Sequence, residues 1–130
     1  MSPRFLTVED VMGIHFFIIS EYGGSLGVLN RGLLESAVGS PAASFGGHFL
    51  NEFPFEMAAS LLIGLALNHA FVDGNKRTAS MACLSFLELN DVRVEMNDQA
   101  LEQLVMDVAT RTKAKRAVSI MLRQYGRLRT

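Results

Sequence analysis

Apolar side chains recur along this chain at the three- and four-residue spacing of helices, and most runs are bracketed by a capping residue and a breaker. Thr7 precedes Glu9 and Asp10, an acidic first turn that suits the positive end of a helix dipole. Val8, Val11, Met12, His15, Phe16 and Ile19 then mark one apolar face, which Gly23-Gly24 ends. His15 lies on that face and reads as a core histidine. Asn30 caps a short second helix, Arg31 to Val38, stopped by Ser40-Pro41. Residues 40–53 form a loop in which Phe45, Phe49, Leu50 and Phe53 recur. Packing beneath the loop is the favoured reading for these four, with exposure toward a protein substrate as the alternative.

Pro54 opens a third helix, Glu56 to Leu67, apolar almost all round and therefore central. A fourth, similar helix runs from Thr78 to Leu89 and stops at Asn90-Asp91. Val92 to Met96 alternates like one short strand, which has no partner unless residues elsewhere, such as the 40–53 loop, pair with it. Asn97 caps a fifth helix with Leu101, Leu104, Val105 and Val108 on one face. A sixth, Lys115 to Tyr125, turns Val118, Met121 and Leu122 inward. The pattern predicts an all-α single domain over residues 1–130, about six helices with at most one short strand or hairpin.

A chain of 130 residues, 49% hydrophobic and 19% charged, suits one ordinary globular domain and argues against disorder. Its single cysteine, Cys83, excludes an internal disulfide and reads as a buried small hydrophobe. No secretory leader is visible and no apolar run is long enough to span a bilayer, so the expected location is the cytoplasm. His48 has no second ligand nearby to suggest a metal site. The net charge of −1 conceals an asymmetry: residues 1–110 carry 5 basic and 13 acidic side chains, whereas residues 111–130 carry 7 basic and none acidic. The basic segment reads either as a solvated helix face or as a surface for an acidic partner or nucleic acid.

Chemistry concentrates between the third and fourth helices, in His69-Ala70-Phe71-Val72-Asp73-Gly74-Asn75-Lys76-Arg77-Thr78. Gly74 can turn the chain sharply at positive φ. The free N–H groups of the helix start, Asn75 to Thr78, then form an anion site beside the positive dipole end. Lys76 and Arg77 add full charges, Asp73 can hold a Mg²⁺ that also touches phosphates, and His69 can accept a proton from an attacking hydroxyl. Singly, each feature also fits an ordinary turn with a basic corner. Together they form a base, a metal ligand and a phosphate cradle, which is the equipment of phosphoryl or nucleotidyl transfer.

The spacing His69-x-Phe71-x-Asp73-Gly74-Asn75-Lys76-Arg77 resembles the signature of the Fic/Doc family. Glu21-Tyr22-Gly23-Gly24 and Gly32-Leu33-Leu34-Glu35-Ser36-Ala37 look like its Doc, or death-on-curing, branch, so the similarity spans most of residues 5–125. Lys76 is the discriminator: AMP-transferring Fic proteins usually have Gly there and a second Arg three residues after the first, where this chain has Ser80. Ala70 replaces the Pro common in Fic proteins, and Gly74 stands where the best-known Doc has Ala.

The resemblance implies a helical Fic/Doc-type bundle acting as the toxin of a toxin–antitoxin pair. In Doc the nucleotide lies with its γ-phosphate toward the attacked hydroxyl. The implied activity is therefore phosphate transfer from ATP or another nucleoside triphosphate, with Mg²⁺, to a threonine of elongation factor Tu, arresting translation. His69 would deprotonate the acceptor, Asp73 would hold Mg²⁺, Gly74, Asn75, Lys76 and Arg77 would position phosphates, and Phe71 would anchor the loop. The chain has no Ser/Thr-x-x-x-Glu-Gly/Asn restraining helix of the Fic type. That points to restraint by a Phd-like antitoxin whose disordered tail folds on the toxin. Nucleic acid would then be met only through the antitoxin. Two alternatives stay open: AMP or another nucleotidyl transfer onto a protein hydroxyl, and a non-catalytic module that binds through the basic 111–130 segment.

Overall fold

A computed structural model describes residues 2–129. Six α-helices account for most of them: α1 (Val8–Tyr22), α2 (Arg31–Gly39), α3 (Phe55–Leu67), α4 (Asn75–Leu89), α5 (Asp98–Ala109) and α6 (Lys115–Tyr125). The caps read from the sequence are in place. Thr7 Oγ1 accepts from Asp10 N–H at 3.0 Å while Asp10 returns the bond to Thr7 N–H at 2.8 Å, a reciprocal capping box. Asn30 and Asn97 accept from Leu33 and Ala100 N–H, opening α2 and α5.

The all-α class holds, with α3 at the centre. Met57, Ala58, Leu61, Leu62 and Leu65 are fully buried, and α3 packs against α2, α4, α5 and α6. It approaches α2 closely: a Cβ on Gly64 would stand 3.0 Å from Ala37 Cβ. Cys83 is buried on α4, and burial pushes its thiol pKa up to about 12, so it stays protonated and inert. No helix among the described residues is long and apolar enough to cross a membrane.

Three expectations are corrected. The strand at Val92–Val94 (β3) exists but pairs with Gly126–Leu128 (β4), antiparallel, and not with the 40–53 loop. That loop makes its own two-residue hairpin, Ser44–Phe45 (β1) with His48–Phe49 (β2), so there are two small strand pairs where at most one was expected. A hairpin this short has no face to bury, and its apolar residues stay in solvent, Phe45 most of all at 82% exposed. Phe49 alone finds an aromatic neighbour, Phe5, edge-on at 5.8 Å. The buried face of α1 is also rotated: Val11, His15, Ile18 and Ile19 are inward, whereas Met12 and Phe16 face out. Phe16 to Ile19 are all apolar, so periodicity could not choose among them. The loop before α4, which packs on His15, Ile18 and Ile19, chose.

Candidate active site

Residues 68–74 connect α3 to α4, and the loop is tied down through the peptides of Ala70–Phe71, Phe71–Val72 and Asp73–Gly74. Segment 27–30 lies antiparallel beside it: Leu29 N–H donates to Ala70 O at 2.7 Å and Val72 N–H to Gly27 O at 3.0 Å, with Val28 opposite Phe71. The Phe71 ring is buried and stacks flat on the His15 imidazole, centroids 3.9 Å apart and planes 7° from parallel. His15 Nε2 lies 2.8 Å from Asp73 O; since a carbonyl can only accept, the proton sits on Nε2. Phe71 is thus the anchor the sequence implied, and His15 is indeed a core histidine, placed to fix the loop.

Asn75, expected to bind phosphate, turns its side chain the other way. Its Oδ1 accepts from Phe71 N–H at 3.1 Å and its Nδ2 donates to Phe71 O at 2.9 Å. Its backbone N–H, at the start of α4, stays free for an anion. Gly74 precedes α4 in the left-handed region at φ 74°, the turn the sequence predicts, and a Cβ there would press on Ile19 at 3.1 Å. The first N–H of α4 to find a partner along the helix is that of Thr78, on Gly74 O at 3.0 Å, so the amides of Asn75, Lys76 and Arg77 form the open first turn.

His69 takes a left-handed φ of 50°, a conformation in which histidine is over-represented among non-glycine residues and which concentrates at functional sites. Its exposed side chain lines a cleft of ≈ 440 Å³ together with Asp73, Gly74, Asn75, Lys76 and Arg77. That volume lies within the roughly 300–1,000 Å³ of small-ligand sites. Asp73 Oδ1 accepts from Gly74 N–H at 2.9 Å, whereas Oδ2 has only a long contact, 3.4 Å from Ser25 N. The second oxygen therefore remains available to a cation. Among the described residues no three His, Cys, Asp or Glu gather as a metal site. A cation on Asp73 would complete its shell with phosphate oxygens and water, the usual arrangement for Mg²⁺. Gly24 lets Asp73 sit here, since a Cβ at Gly24 would fall 2.6 Å from Oδ2.

Several parts of the site lay beyond the sequence reading. The Arg77 guanidinium lies over the Tyr22 ring, 4.3 Å from its centroid. The far wall comes from α5, through Glu102, Val105 and Met106. Nothing local in the sequence distinguishes Glu102 from other exposed helix glutamates; only tertiary packing brings it opposite the motif. Ser80, the position of the absent second arginine, also lines the cleft and turns its hydroxyl back onto Lys76 O at 3.2 Å.

Residues 5–87 match the model of the Fic/DOC family. The chain is 44% identical over 94 residues to "Toxin Doc" of Mycolicibacterium smegmatis, covering 69% of this chain and 71% of that protein. It is 33% identical over 124 residues to "Protein kinase doc" of Escherichia phage P1, covering 95% and 97% respectively. The match runs through the loop that carries His69 and Lys76, and both relatives are Doc proteins: the chain belongs to the Fic/DOC family, on its Doc branch.

Proposed function

We propose that this protein is the toxin of a toxin–antitoxin pair and transfers the γ-phosphate of ATP to a Ser or Thr hydroxyl of elongation factor Tu, arresting translation. The observation that carries the reading is the convergence of His69 with the open first turn of α4, Lys76 and Arg77 in one cleft. The names of the two relatives, a toxin and a protein kinase, support it. His69 takes the proton from the acceptor hydroxyl, whose oxygen attacks the γ-phosphorus. The bond to the bridging oxygen breaks, and ADP leaves with the electron pair. Amides 75–77, Lys76 and Arg77 hold phosphate oxygens where negative charge accumulates. Mg²⁺ on Asp73 would neutralise part of that charge when bound.

Transfer of the outer phosphate is favoured over AMP transfer by Lys76 and Ser80. The lysine chain occupies room that a glycine would leave to inner phosphates, and Ser80 offers no second guanidinium. The toxin reading supplies restraint through a Phd-like antitoxin whose tail folds on this surface. Incubation with ATP, Mg²⁺ and elongation factor Tu, followed by mass spectrometry, is expected to add one phosphate to the factor. A gain of AMP overturns the kinase reading. His69→Ala should lower the rate by about 10²–10⁴-fold while the protein stays folded.

A further inference from the structure

α1 ends against the motif loop. Tyr22 is its last residue, and Gly23, Gly24 and Ser25 carry the chain away, with Gly23 N–H donating to Ile19 O at 2.9 Å. Two groups of the phosphate site, the Arg77 guanidinium and the Asp73 carboxylate, meet this turn, which lies far upstream of the motif in the sequence.

Arg77 has no carboxylate partner among the described residues, and its guanidinium rests over the Tyr22 ring. Tyr22 is 59% exposed, so the pair buries little apolar surface. What the ring does is narrow the rotamers of a long, solvent-facing side chain while leaving its charge unneutralised. An acidic partner would hold the arginine as well, but would cancel the charge that a phosphate needs.

Asp73 is bracketed. Its Oδ1 accepts from Gly74 N–H at 2.9 Å, and its Oδ2 lies where a side chain at position 24 would begin: a Cβ on Gly24 would stand 2.6 Å from Oδ2 and 3.1 Å from Cγ. Ser25 N, at 3.4 Å, is too far to satisfy Oδ2. The neighbouring Gly23 differs in one respect. It also takes a positive φ, 84° against 115° for Gly24, but a Cβ there would meet nothing within 4 Å. Gly23 answers a demand of the backbone alone, whereas Gly24 also leaves the room that the carboxylate fills.

We infer that Tyr22 and Gly24 are positioning residues of the phosphate site: Tyr22 holds Arg77 for the phosphates, and Gly24 leaves Asp73 the rotamer in which Oδ2 can take a divalent cation. The inference rests on the transfer reading above and extends its machinery to the end of α1.

The test is the binding of a fluorescent ATP analogue to the full chain, followed by anisotropy with and without Mg²⁺, with circular dichroism melting as the control for folding. Tyr22→Leu keeps apolar bulk but removes the ring, and should weaken the analogue about two- to fivefold. KM for ATP should rise with kcat little changed. Tyr22→Phe retains the ring and should bind as wild type does. Gly24→Ala should raise the Mg²⁺ concentration at half-saturation about tenfold or more, while binding without Mg²⁺ stays within about twofold of wild type. Gly23→Ala carries the backbone strain without the clash, so it should lower the melting temperature and leave the Mg²⁺ midpoint unchanged. If Gly24→Ala alone fails to fold, adding Asp73→Ala should restore folding by removing the clash. The inference is overturned if Tyr22→Leu and Tyr22→Phe behave alike, if Gly23→Ala moves the Mg²⁺ midpoint as far as Gly24→Ala does, or if Asp73→Ala brings no such rescue. A wild-type protein that binds no ATP analogue overturns the transfer reading itself; wild-type binding that every variant shares overturns this inference alone.

Discussion

Asn75 makes both of its side-chain hydrogen bonds to the backbone of one residue, Phe71, and this separates two roles that a sequence motif leaves merged. A residue touching phosphate affects nucleotide binding; a residue bracing the loop affects how well His69 is aligned. Asn75→Ala removes the acceptor of the Phe71 N–H and the donor to its carbonyl in a partly buried place, at a cost of about 1–3 kcal/mol. The expected kinetic result is a drop in kcat of roughly tenfold or more, with KM for ATP little changed, because misalignment of the base acts on the transition state. A rise in KM at constant kcat would return Asn75 to the phosphate. Identity was legible here and role was not: the spacing located His69, Asp73, Gly74, Lys76 and Arg77 in one cleft, but a side chain's direction depends on the peptide it meets. His15 is the same lesson reversed, a residue correctly read as core whose partners, Phe71 and Asp73, lie 56 and 58 positions away.

Elements announced by local signals were legible. The helices capped by Thr7, Asn30 and Asn97 begin where the caps lie, because a side chain and an amide three residues on suffice to decide it. Elements that depend on distant partners were not. β4 is three residues, Gly126–Leu128, too short for any alternation, and exists because β3 offers it a ladder. The turn from α5 to α6 belongs to the same class. Asp107 accepts from Lys113 Nζ at 2.8 Å and, more weakly, from Gln103 Nε2 at 2.9 Å, and these bonds hold its carboxyl below its ordinary 3.8. A depressed folded pKa stabilises the turn above the unfolded value and loses that contribution as pH falls through the folded one. Asp107→Asn should therefore melt at a lower temperature than wild type at pH 7. The two melting curves should converge well below pH 3.8, where both side chains are neutral. A difference that persisted in acid would mean that the carboxylate is not the tie.

At the scale of the whole molecule, the charge asymmetry of the sequence is partly folded away. Arg123, Arg127 and Arg129 reach back to Glu52, Glu95 and Glu88, so much of the basic segment lies against the acidic body and does not form a free stripe for nucleic acid. These exposed pairs contribute little energy. Stability resides in the core around α3, and the site is attached to the end of that helix through a loop separately tied to Gly27–Asn30, His15 and Asn75. The double attachment predicts that stability and catalysis can be damaged independently. Leu62 is fully buried near the middle of α3, seven residues and roughly 10 Å of helix from His69. Leu62→Ala should cost about 3 kcal/mol and lower the melting temperature by roughly 10 °C through the cavity it leaves. At a temperature where the variant remains folded, its kcat should stay within about twofold of wild type, because the loop's own bonds, and not the packing of Leu62, set the position of His69. A parallel fall in kcat would mean that the core itself aligns the base, and that the hydrogen bonds around Phe71 follow the packing and do not fix the loop.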